Sequence, residues 1–465
     1  MFLVQVYAVI VLAFGATLWS YRRFRDSFHP LVYLSPMLGC LYGLLPLYLH
    51  VTDGLYGFLT RDEAAYVQWI NVHGVLALLA GVVRGSGGQK IQPSGRMLRL
   101  PIWMWGRVRL AAVLIGLVGV TGFYYTIEAV GGLSEAYARA YGGGWSDLGL
   151  VRESVLFTLP ALLWLMVVYR GRGPSWSGWF LISLFAAPLL LHGLLGARRG
   201  PIFIVVVALA MGWYLMRRRR PALLSVLLTG TALGLFLLFL VTNRSEIYLG
   251  SQFSYERSPL EYLQAGSGNE YIYGAGTMLD RAQTGQYFWG RRYLVVFFIR
   301  PIPRQIWPTK YEDATQFLGI PNIEGNMGLG TEELEATLGW AGARGAAPGI
   351  VADMWNEFWW FAIPVLFMIG WAYGRAWRAA VTHEGPWIPL YALMTALSLH
   401  LVMQTLEAMA FRLLLTALPS WLIWQYGMGI IRSRRGNAAV ADTEAIRPRQ
   451  QQLHPIGNRV DVFRA

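Results

Sequence analysis

The sequence predicts an all-α, polytopic integral membrane protein with one large outside loop, and its composition and charge distribution support this prediction. Of its 465 residues, 55% are hydrophobic and only 14% are charged, whereas soluble domains carry roughly 25% charged residues. The apolar residues form runs of about 20, the length of a helix that crosses a bilayer. The basic residues lie mostly in short segments between these runs, as the positive-inside rule predicts.

The apolar runs predict about eleven transmembrane helices. They lie at 2–20, 31–51, 64–83, 108–126, 151–169, 176–197, 201–216, 222–242, 350–373, 387–406 and 411–431. The chain therefore divides into N-terminal helices (1–242), a large outside loop (243–349), C-terminal helices (350–431) and an inside, disordered tail (432–465). The basic segment YRRFRDSFHP follows the first run, so we expect a retained first span with the N-terminus outside and the C-terminus inside.

The sequence disfavours a nucleic-acid partner, an intrachain disulfide and a bound metal or other cofactor. The net charge of +13 would suit a nucleic-acid-binding protein, but the basic residues follow the membrane pattern instead, so no nucleic-acid partner is expected. The single cysteine, Cys40, excludes an intrachain disulfide. The sequence has no HExxH, DxD or His/Cys cluster, so we expect neither a metal nor another cofactor.

A pair of arginines, Arg198 and Arg199, separates two spans in the motif GARRGPI. The run Arg217–Arg220 marks the inside end of the following span, so the pair faces outside, where basic residues are scarce. Pro201 suits the first turn of a helix, whose free N–H groups would face the same water layer. The arrangement predicts a phosphate or pyrophosphate site; the alternative is a pair of interfacial anchors.

The outside loop holds a second basic cluster in RRYLVVFFIRPIPRQIWPTKY. Its candidate anion-binding and substrate-binding residues are Arg300, Arg304, Trp307 and Lys310, with Arg291 and Arg292 as weaker candidates. The stretch YLVVFFI is too short to span and should dip into the interface or pack under the loop. The alternative is a basic loop surface that the loop's own carboxylates neutralise.

A third group consists of ionisable residues at the outer ends of the late spans. It comprises Asp353, Glu357, His400, Glu407 and Arg412. Ionisable groups within spans are functional candidates, and a carboxylate here could take a proton from a hydroxyl. The alternative is a structural salt bridge, for example between Glu407 and Arg412. His192, within the sixth span, is interpreted as a core histidine.

Three motifs together resemble the Wzy-type oligosaccharide repeat-unit polymerases, which make bacterial O-antigen and exopolysaccharide. They are GARRGPI, RPIPRQIWPTK and APGIVADMWNEFWWF. In the third motif Asp353 stands at the family's acidic position and Trp355 at its aromatic one. Glu357 and Trp359 replace the usual amide and glycine, which leaves the role of Glu357 open.

The resemblance implies a GT-C-like, metal-independent, inverting glycosyltransferase at the periplasmic face of the bacterial inner membrane. It would join undecaprenyl-pyrophosphate-linked repeat units, which serve as donor and acceptor, and a chain-length-regulating membrane protein is a further implied partner. Arg198, Arg199, Arg300 and Arg304 would stabilise the leaving pyrophosphate, and Asp353 or Glu407 would be the base. Lys310, Trp307, Arg412 and His400 would bind substrate, with Trp289 and Tyr311 completing a sugar platform.

Two other functions share parts of this pattern. An O-antigen ligase would use the same donor and chemistry but another acceptor, and the short motifs do not separate it from a polymerase. A transporter or flippase of polyprenyl-linked sugars would be expected to show repeated halves and broken midplane helices, and the sequence shows no internal repeat. A structural scaffold would have no need of arginines at the outer face.

Overall fold

A computed structural model describes residues 1–87, 102–140, 142–143, 149–217, 219–251, 269–302, 304, 306–323, 327, 329, 334–335, 339 and 347–450. Every regular element within these ranges is helical, which confirms the all-α prediction for the described part of the chain.

The first eleven helices precede the large loop. They are α1 (Phe2–Phe24), α2 (Pro30–Gly39), α3 (Leu45–Val51), α4 (Arg61–Ser86), α5 (Ile102–Glu128), α6 (Leu133–Tyr137), α7 (Leu150–Glu153), α8 (Thr158–Val168), α9 (Trp176–Leu195), α10 (Arg199–Met216) and α11 (Leu223–Thr242). A π-helical turn, Cys40–Leu44, joins α2 to α3, and a 3₁₀ turn, Ser154–Phe157, joins α7 to α8.

The remaining helices belong to the loop and the C-terminal region. They are α12 (Glu270–Thr284), α13 (Arg291–Leu294), α14 (Lys310–Leu318), α15 (Gly349–Phe358), α16 (Ala362–Thr382), α17 (Trp387–Ala396), α18 (Ser398–Met403) and α19 (Leu406–Gln450). A π-helical turn, Val295–Ile299, extends α13.

Within the described ranges, nine helical segments are long and apolar enough to cross a membrane. They are Phe2–Phe24, Pro30–Val51, Arg61–Ser86, Ile102–Glu128, Val151–Val168, Trp176–Leu195, Arg199–Met216, Leu223–Thr242 and Leu406–Met428. They correspond to predicted spans one to eight and eleven. The chain is therefore a multi-pass helical membrane protein.

The predicted ninth and tenth spans are both broken helices. Phe358 ends α15, and Trp359, with φ of 51°, begins a 3₁₀ turn ahead of α16. The break separates a buried helix that carries Asp353 and Glu357 from exposed aromatic side chains at the turn, which suit a membrane interface. The tenth run is likewise divided into α17 and α18.

Helix α16 packs closely along α4 in the parallel direction. A Cβ at Gly81 would overlap the carbonyl oxygen of Phe367, and a Cβ at Gly370 would overlap that of Leu78. Small residues at such contacts let membrane helices approach closely without a hydrophobic driving force. The parallel direction agrees with the predicted alternation, in which the third and ninth spans cross in the same sense.

The large loop returns part of the chain into the helical bundle. Residues 270–281 of α12 are all buried, and the Tyr271 hydroxyl donates to Gln68 Oε1 of α4 at 2.9 Å. The YLVVFFI stretch forms part of α13 and the π-helical turn, and Val295 packs with Ala314 and Leu318 of α14. Thus this stretch packs under the loop, one of the two expected arrangements.

Helix α19 continues past the last predicted span, into the tail for which the sequence predicts disorder. Its backbone is helical through Gln450. The segment 432–450 contains five arginines and four alanines, which are good helix formers, together with one glycine and one proline. Residues 451–465 of the predicted tail lie outside the described residues.

Candidate functional site

A cavity of about 350 Å³ lies at the start of α10, where the GARRGPI motif ends α9 and begins the next helix. Arg198 is the N-cap residue with extended backbone, and Arg199 is the first residue of the helix. Pro201 lies in the first turn, as predicted, where its missing N–H leaves no hydrogen bond unmade. The turn therefore directs free backbone donors and both arginines toward one hollow.

Five arginines from four parts of the chain line this cavity. They are Arg152, Arg198, Arg199, Arg244 and Arg412. Glu153 is the one carboxylate among the lining residues, and its Oε1 pairs with Arg152 Nη2 at 2.9 Å. Arg199 forms an ion pair with Glu270 at the start of α12. Among the described residues, five arginines at the cavity thus stand against two carboxylates, Glu153 and Glu270.

The positive charges of the cavity arginines repel one another, which makes the protonated form of each arginine less favourable. Burial lowers the pKa of the Arg198 guanidinium, and the charge of Arg152 lowers it further. Arginine nevertheless stays protonated in proteins. A bound anion would relieve this repulsion, so the electrostatics favour a multiply charged, negative ligand.

His400 of α18 lies against the same turn. Its side chain is buried, and a Cβ at Gly200 would lie 2.9 Å from His400 Nε2, so the glycine allows the imidazole to approach α10. The Nδ1 atom makes no hydrogen bond among the described residues. His192 also lines the cavity, with its Nδ1 3.0 Å from the Tyr137 hydroxyl. His192 is thus a partnered histidine, as interpreted from the sequence, but it lies at the cavity wall.

A second cluster surrounds Arg292, which is 1% exposed. Its Nη1 lies 3.1 Å from Asp353 Oδ1 and 3.3 Å from Glu357 Oε1, and its Nη2 lies 2.9 Å from Glu407 Oε1. Asp353 and Glu357 also accept from the backbone N–H groups of Leu406 and Gly290, each at 2.8 Å. We call these four side chains the Arg292 cluster.

The Arg292 cluster ties the large loop to α15 and α19. Burial alone would lower the pKa of Arg292, but the charges of Glu407, Asp353 and Glu357 outweigh burial and raise it above its ordinary value. None of the four side chains is among those that line the cavity. Glu407 thus forms a salt bridge, as in the alternative interpretation, but with Arg292 rather than Arg412, whose Nη1 donates to the Ala408 carbonyl at 2.9 Å.

The structure brings together four of the ten residues predicted for the site and disperses the others. Arg198, Arg199, His400 and Arg412 line the cavity. Asp353 and Glu407 belong to the Arg292 cluster. The remaining four, Arg300, Arg304, Trp307 and Lys310, are not among the lining residues.

Of those remaining four residues, Lys310 makes its hydrogen bonds within the loop. Lys310 is 3% exposed, and its ammonium donates to the carbonyls of Ile299, Arg300 and Ile302, which occupies all three of its donors. Lys310 is therefore placed as a structural residue rather than as a ligand for substrate.

The other three residues have aromatic or polar contacts. Trp307 Nε1 donates to Asp313 Oδ2 at 2.6 Å, and the Arg304 guanidinium lies 5.4 Å from the ring centre of Tyr311. Arg300 stacks 5.1 Å from the Phe411 ring and is near enough to act on Arg412 and Glu153 electrostatically. Of these loop residues, Arg300 is thus the one that the structure connects to the cavity.

Sequence reasoning missed Arg152, Glu153, Arg244 and Glu270. The first two begin the fifth predicted span and Arg244 follows the eighth, so all three share the predicted outside face with Arg198. That common face was an available signal. Glu270 gave none, because its contact with Arg199 depends on α12 folding back into the bundle.

The described residues contain no group of three or more His, Cys, Asp or Glu side chains that could hold a metal ion. Comparisons with protein-family models, with curated proteins and with solved structures find no match for this chain.

Proposed function

We propose that this protein polymerises oligosaccharide repeat units carried on a polyprenyl pyrophosphate, by inverting and metal-independent glycosyl transfer. The observation that carries the proposal is the cavity at the start of α10, where five arginines outnumber the carboxylates at a helix N-terminus. A lipid-linked diphosphate is an anion that such a cavity suits, because guanidinium groups bind phosphate oxygens bidentately. The resemblance of GARRGPI to the Wzy-type polymerases points to the same chemistry.

In the proposed reaction a hydroxyl of the acceptor sugar attacks the anomeric carbon of the donor. The new glycosidic bond forms as the bond between that carbon and the pyrophosphate oxygen breaks, and the hydroxyl proton passes to a base. Negative charge develops on the leaving pyrophosphate, where Arg198, Arg199, Arg244 and Arg412 can stabilise it. Fixed donors aimed at developing charge are typically the largest single contribution to catalysis.

Glu153 is the better candidate for the base than either carboxylate expected from the sequence. Asp353 and Glu407 are held by Arg292 and are not among the residues that line the cavity. Glu153 lines the cavity itself, within 2.9 Å of Arg152. A base must lie within hydrogen-bond reach of the proton that it takes. Glu153 meets this condition best, because it is the one carboxylate among the described residues of the cavity wall.

The remaining parts of the proposal follow from the charge pattern and the resemblance. The cavity end of α10 would face the periplasm of a bacterial inner membrane, where flipped lipid-linked repeat units are found. The fold would be GT-C-like, and a chain-length-regulating membrane protein would be a partner. A ligase would use the same cavity, and the acceptor found on the product distinguishes the two.

The test is polymerisation by purified protein supplied with lipid-linked repeat units in EDTA. We expect native protein to lengthen the glycan without divalent metal, and Arg199→Ala to lose about 10²–10³-fold in kcat. The matched control is Arg217→Ala, because Arg217 is the C-cap of the same helix and stacks on Trp213 at 4.0 Å. Metal dependence, or equal activity of the two variants, would contradict the proposal; transfer only to lipid A core would identify a ligase.

A further inference from the structure

A second cavity, of about 240 Å³, lies at the opposite end of α10. Its walls come from the ends of α8, α10 and α16 and from the start of α17. The residues that line it include Phe28, Arg170, Tyr214, Arg219, Arg220 and Glu384. Helix α10 has 18 residues, and at 1.5 Å per residue the two cavities are separated by about 27 Å.

We propose that this second cavity binds an anionic phospholipid, with the phosphate of the headgroup at the arginines and an acyl chain along the apolar wall. The site is independent of the proposed polymerase activity, because it shares no lining residue with the first cavity.

The charged rim supplies the phosphate-binding groups. Arg220 Nε lies 3.2 Å from Asp26 Oδ1, and Arg170 Nη1 lies 3.6 Å from Glu384 Oε1. Arg219 is exposed at the rim, so among the described residues three guanidiniums and two carboxylates lie at this end of α10.

The rim is held in place by aromatic contacts. The Arg220 guanidinium lies 4.7 Å from the centre of the Phe28 ring, and Trp377 Nε1 donates to Asp26 Oδ2 at 3.0 Å. These contacts fix Asp26 and Arg220 relative to each other, so the anion site is formed before any ligand arrives. A preformed site avoids part of the ordering cost of binding.

The interior of the cavity is apolar. Met211, Leu215, Val381 and Ile388 contribute its aliphatic wall. A free phosphate or a sugar phosphate has no group that would fill such a wall, whereas a phospholipid carries both a phosphate and a hydrocarbon chain. Basic pockets between membrane helices on the cytoplasmic side bind anionic headgroups in this way, and the RRRR run predicts that this end of α10 faces the cytoplasm.

Native mass spectrometry of the full-length protein in detergent tests the proposal directly. Phosphatidylglycerol, phosphatidylcholine and inorganic phosphate are titrated separately. We expect one phosphatidylglycerol to bind tightly, with at least tenfold weaker binding of phosphatidylcholine. Arg219→Gln should weaken the phosphatidylglycerol complex about fivefold, because one arginine near an anionic surface contributes about 1 kcal/mol.

The matched control is Arg217→Gln, which removes the same charge from the same run but from a residue that does not line the cavity. It should change the affinity by less than twofold. Ala380→Phe, which adds a ring to the wall, should abolish the bound lipid while leaving binding of polyprenyl pyrophosphate at the first cavity intact. Equal effects of Arg217→Gln and Arg219→Gln, unchanged binding in Ala380→Phe, or binding of inorganic phosphate as tight as that of phosphatidylglycerol would each overturn the proposal.

Discussion

The Arg292 cluster and the cavity at the start of α10 are built from the same two kinds of side chain in opposite proportions. In the cluster one guanidinium meets three carboxylates, and the four side chains are sealed from solvent. In the cavity five guanidiniums surround a hollow of about 350 Å³ that one carboxylate lines. In the first arrangement all three carboxylates contact one guanidinium, whereas the second has a surplus of positive charge and the space to hold an anion.

This difference shows why ionisable residues within spans need to be assigned by their partners. A buried charge that loses its partner is strongly destabilising, so Asp353 and Glu407 can be essential without touching substrate. Positive charges collected around a hollow raise one another's energy until an anion binds. Mutations in the Arg292 cluster should therefore lower mainly stability, whereas mutations in the cavity should lower mainly activity.

The largest effect is expected for Arg292→Met. The substitution leaves three buried carboxylates without a counter-charge, and removing one partner of a buried pair costs about 3–5 kcal/mol. Thermal unfolding of the purified protein should show a large loss of stability, with partial recovery in Arg292→Met combined with Glu407→Gln. The control is Arg304→Met, an exposed residue of the same loop, which should change stability by less than about 0.5 kcal/mol. Equal melting of native protein and Arg292→Met would show that the cluster is not a structural link.

Next in size is the effect of Glu153→Gln on catalysis. If Glu153 is the base, kcat should fall on the order of 10²-fold, while the melting temperature changes little. Asp353→Asn should show the opposite pattern, with lowered stability and nearly native kcat in the fraction that remains folded. Single-turnover assays on folded protein separate the two. A fall in kcat for Asp353→Asn with native activity of Glu153→Gln would return the base to the Arg292 cluster.

A smaller effect is expected for Lys310→Met. Its ammonium bonds three backbone carbonyls, and leaving buried acceptors unsatisfied costs about 1–3 kcal/mol. Stability should therefore fall, whereas KM for the lipid-linked substrate should stay within twofold of native. A selective rise in KM at unchanged stability would instead support the substrate-binding role predicted from the sequence.

The smallest effect is expected for Arg244→Gln. Arg244 lines the cavity with Arg198 and Arg199, and loss of one charge there should weaken pyrophosphate binding about fivefold, for roughly 1 kcal/mol. The affinity of native protein should also fall with added salt, because the cavity is open enough for screening. Calorimetric titration with inorganic pyrophosphate measures both; an affinity insensitive to salt and to Arg244 would argue against an electrostatic site.

The sequence predicted the helical class and most spans because hydropathy and loop charge are local signals. It also selected Arg198 and Arg199, since the unusual side of the membrane is itself visible in the order of spans. It could not predict the break at Trp359, because the run 350–373 has the length and composition of an ordinary span. Nor could it choose the partner of Glu407, since Arg412 is near in sequence and Arg292 only in the fold.

The role of Glu153 also could not be predicted from local sequence. Its sequence neighbour Arg152 makes it resemble an ordinary interfacial pair, and only the fold places it in one cavity wall with Arg199 of α10 and His400 of α18. Glu270 depends in turn on the return of α12 into the bundle. Local sequence thus identified Arg198, Arg199 and Arg412, and the fold supplied the other two arginines and the carboxylates.

The proposed function depends most directly on whether the cavity at the start of α10 binds a lipid diphosphate. Calorimetric titration of polyprenyl pyrophosphate into native protein, Arg199→Ala and Arg217→Ala in the same detergent measures this. We predict one site per chain in native protein and in Arg217→Ala, and binding at least tenfold weaker in Arg199→Ala, because hydrogen bonds to charged groups contribute about 1.5–3 kcal/mol. Equal affinity for Arg199→Ala and native protein would contradict the account.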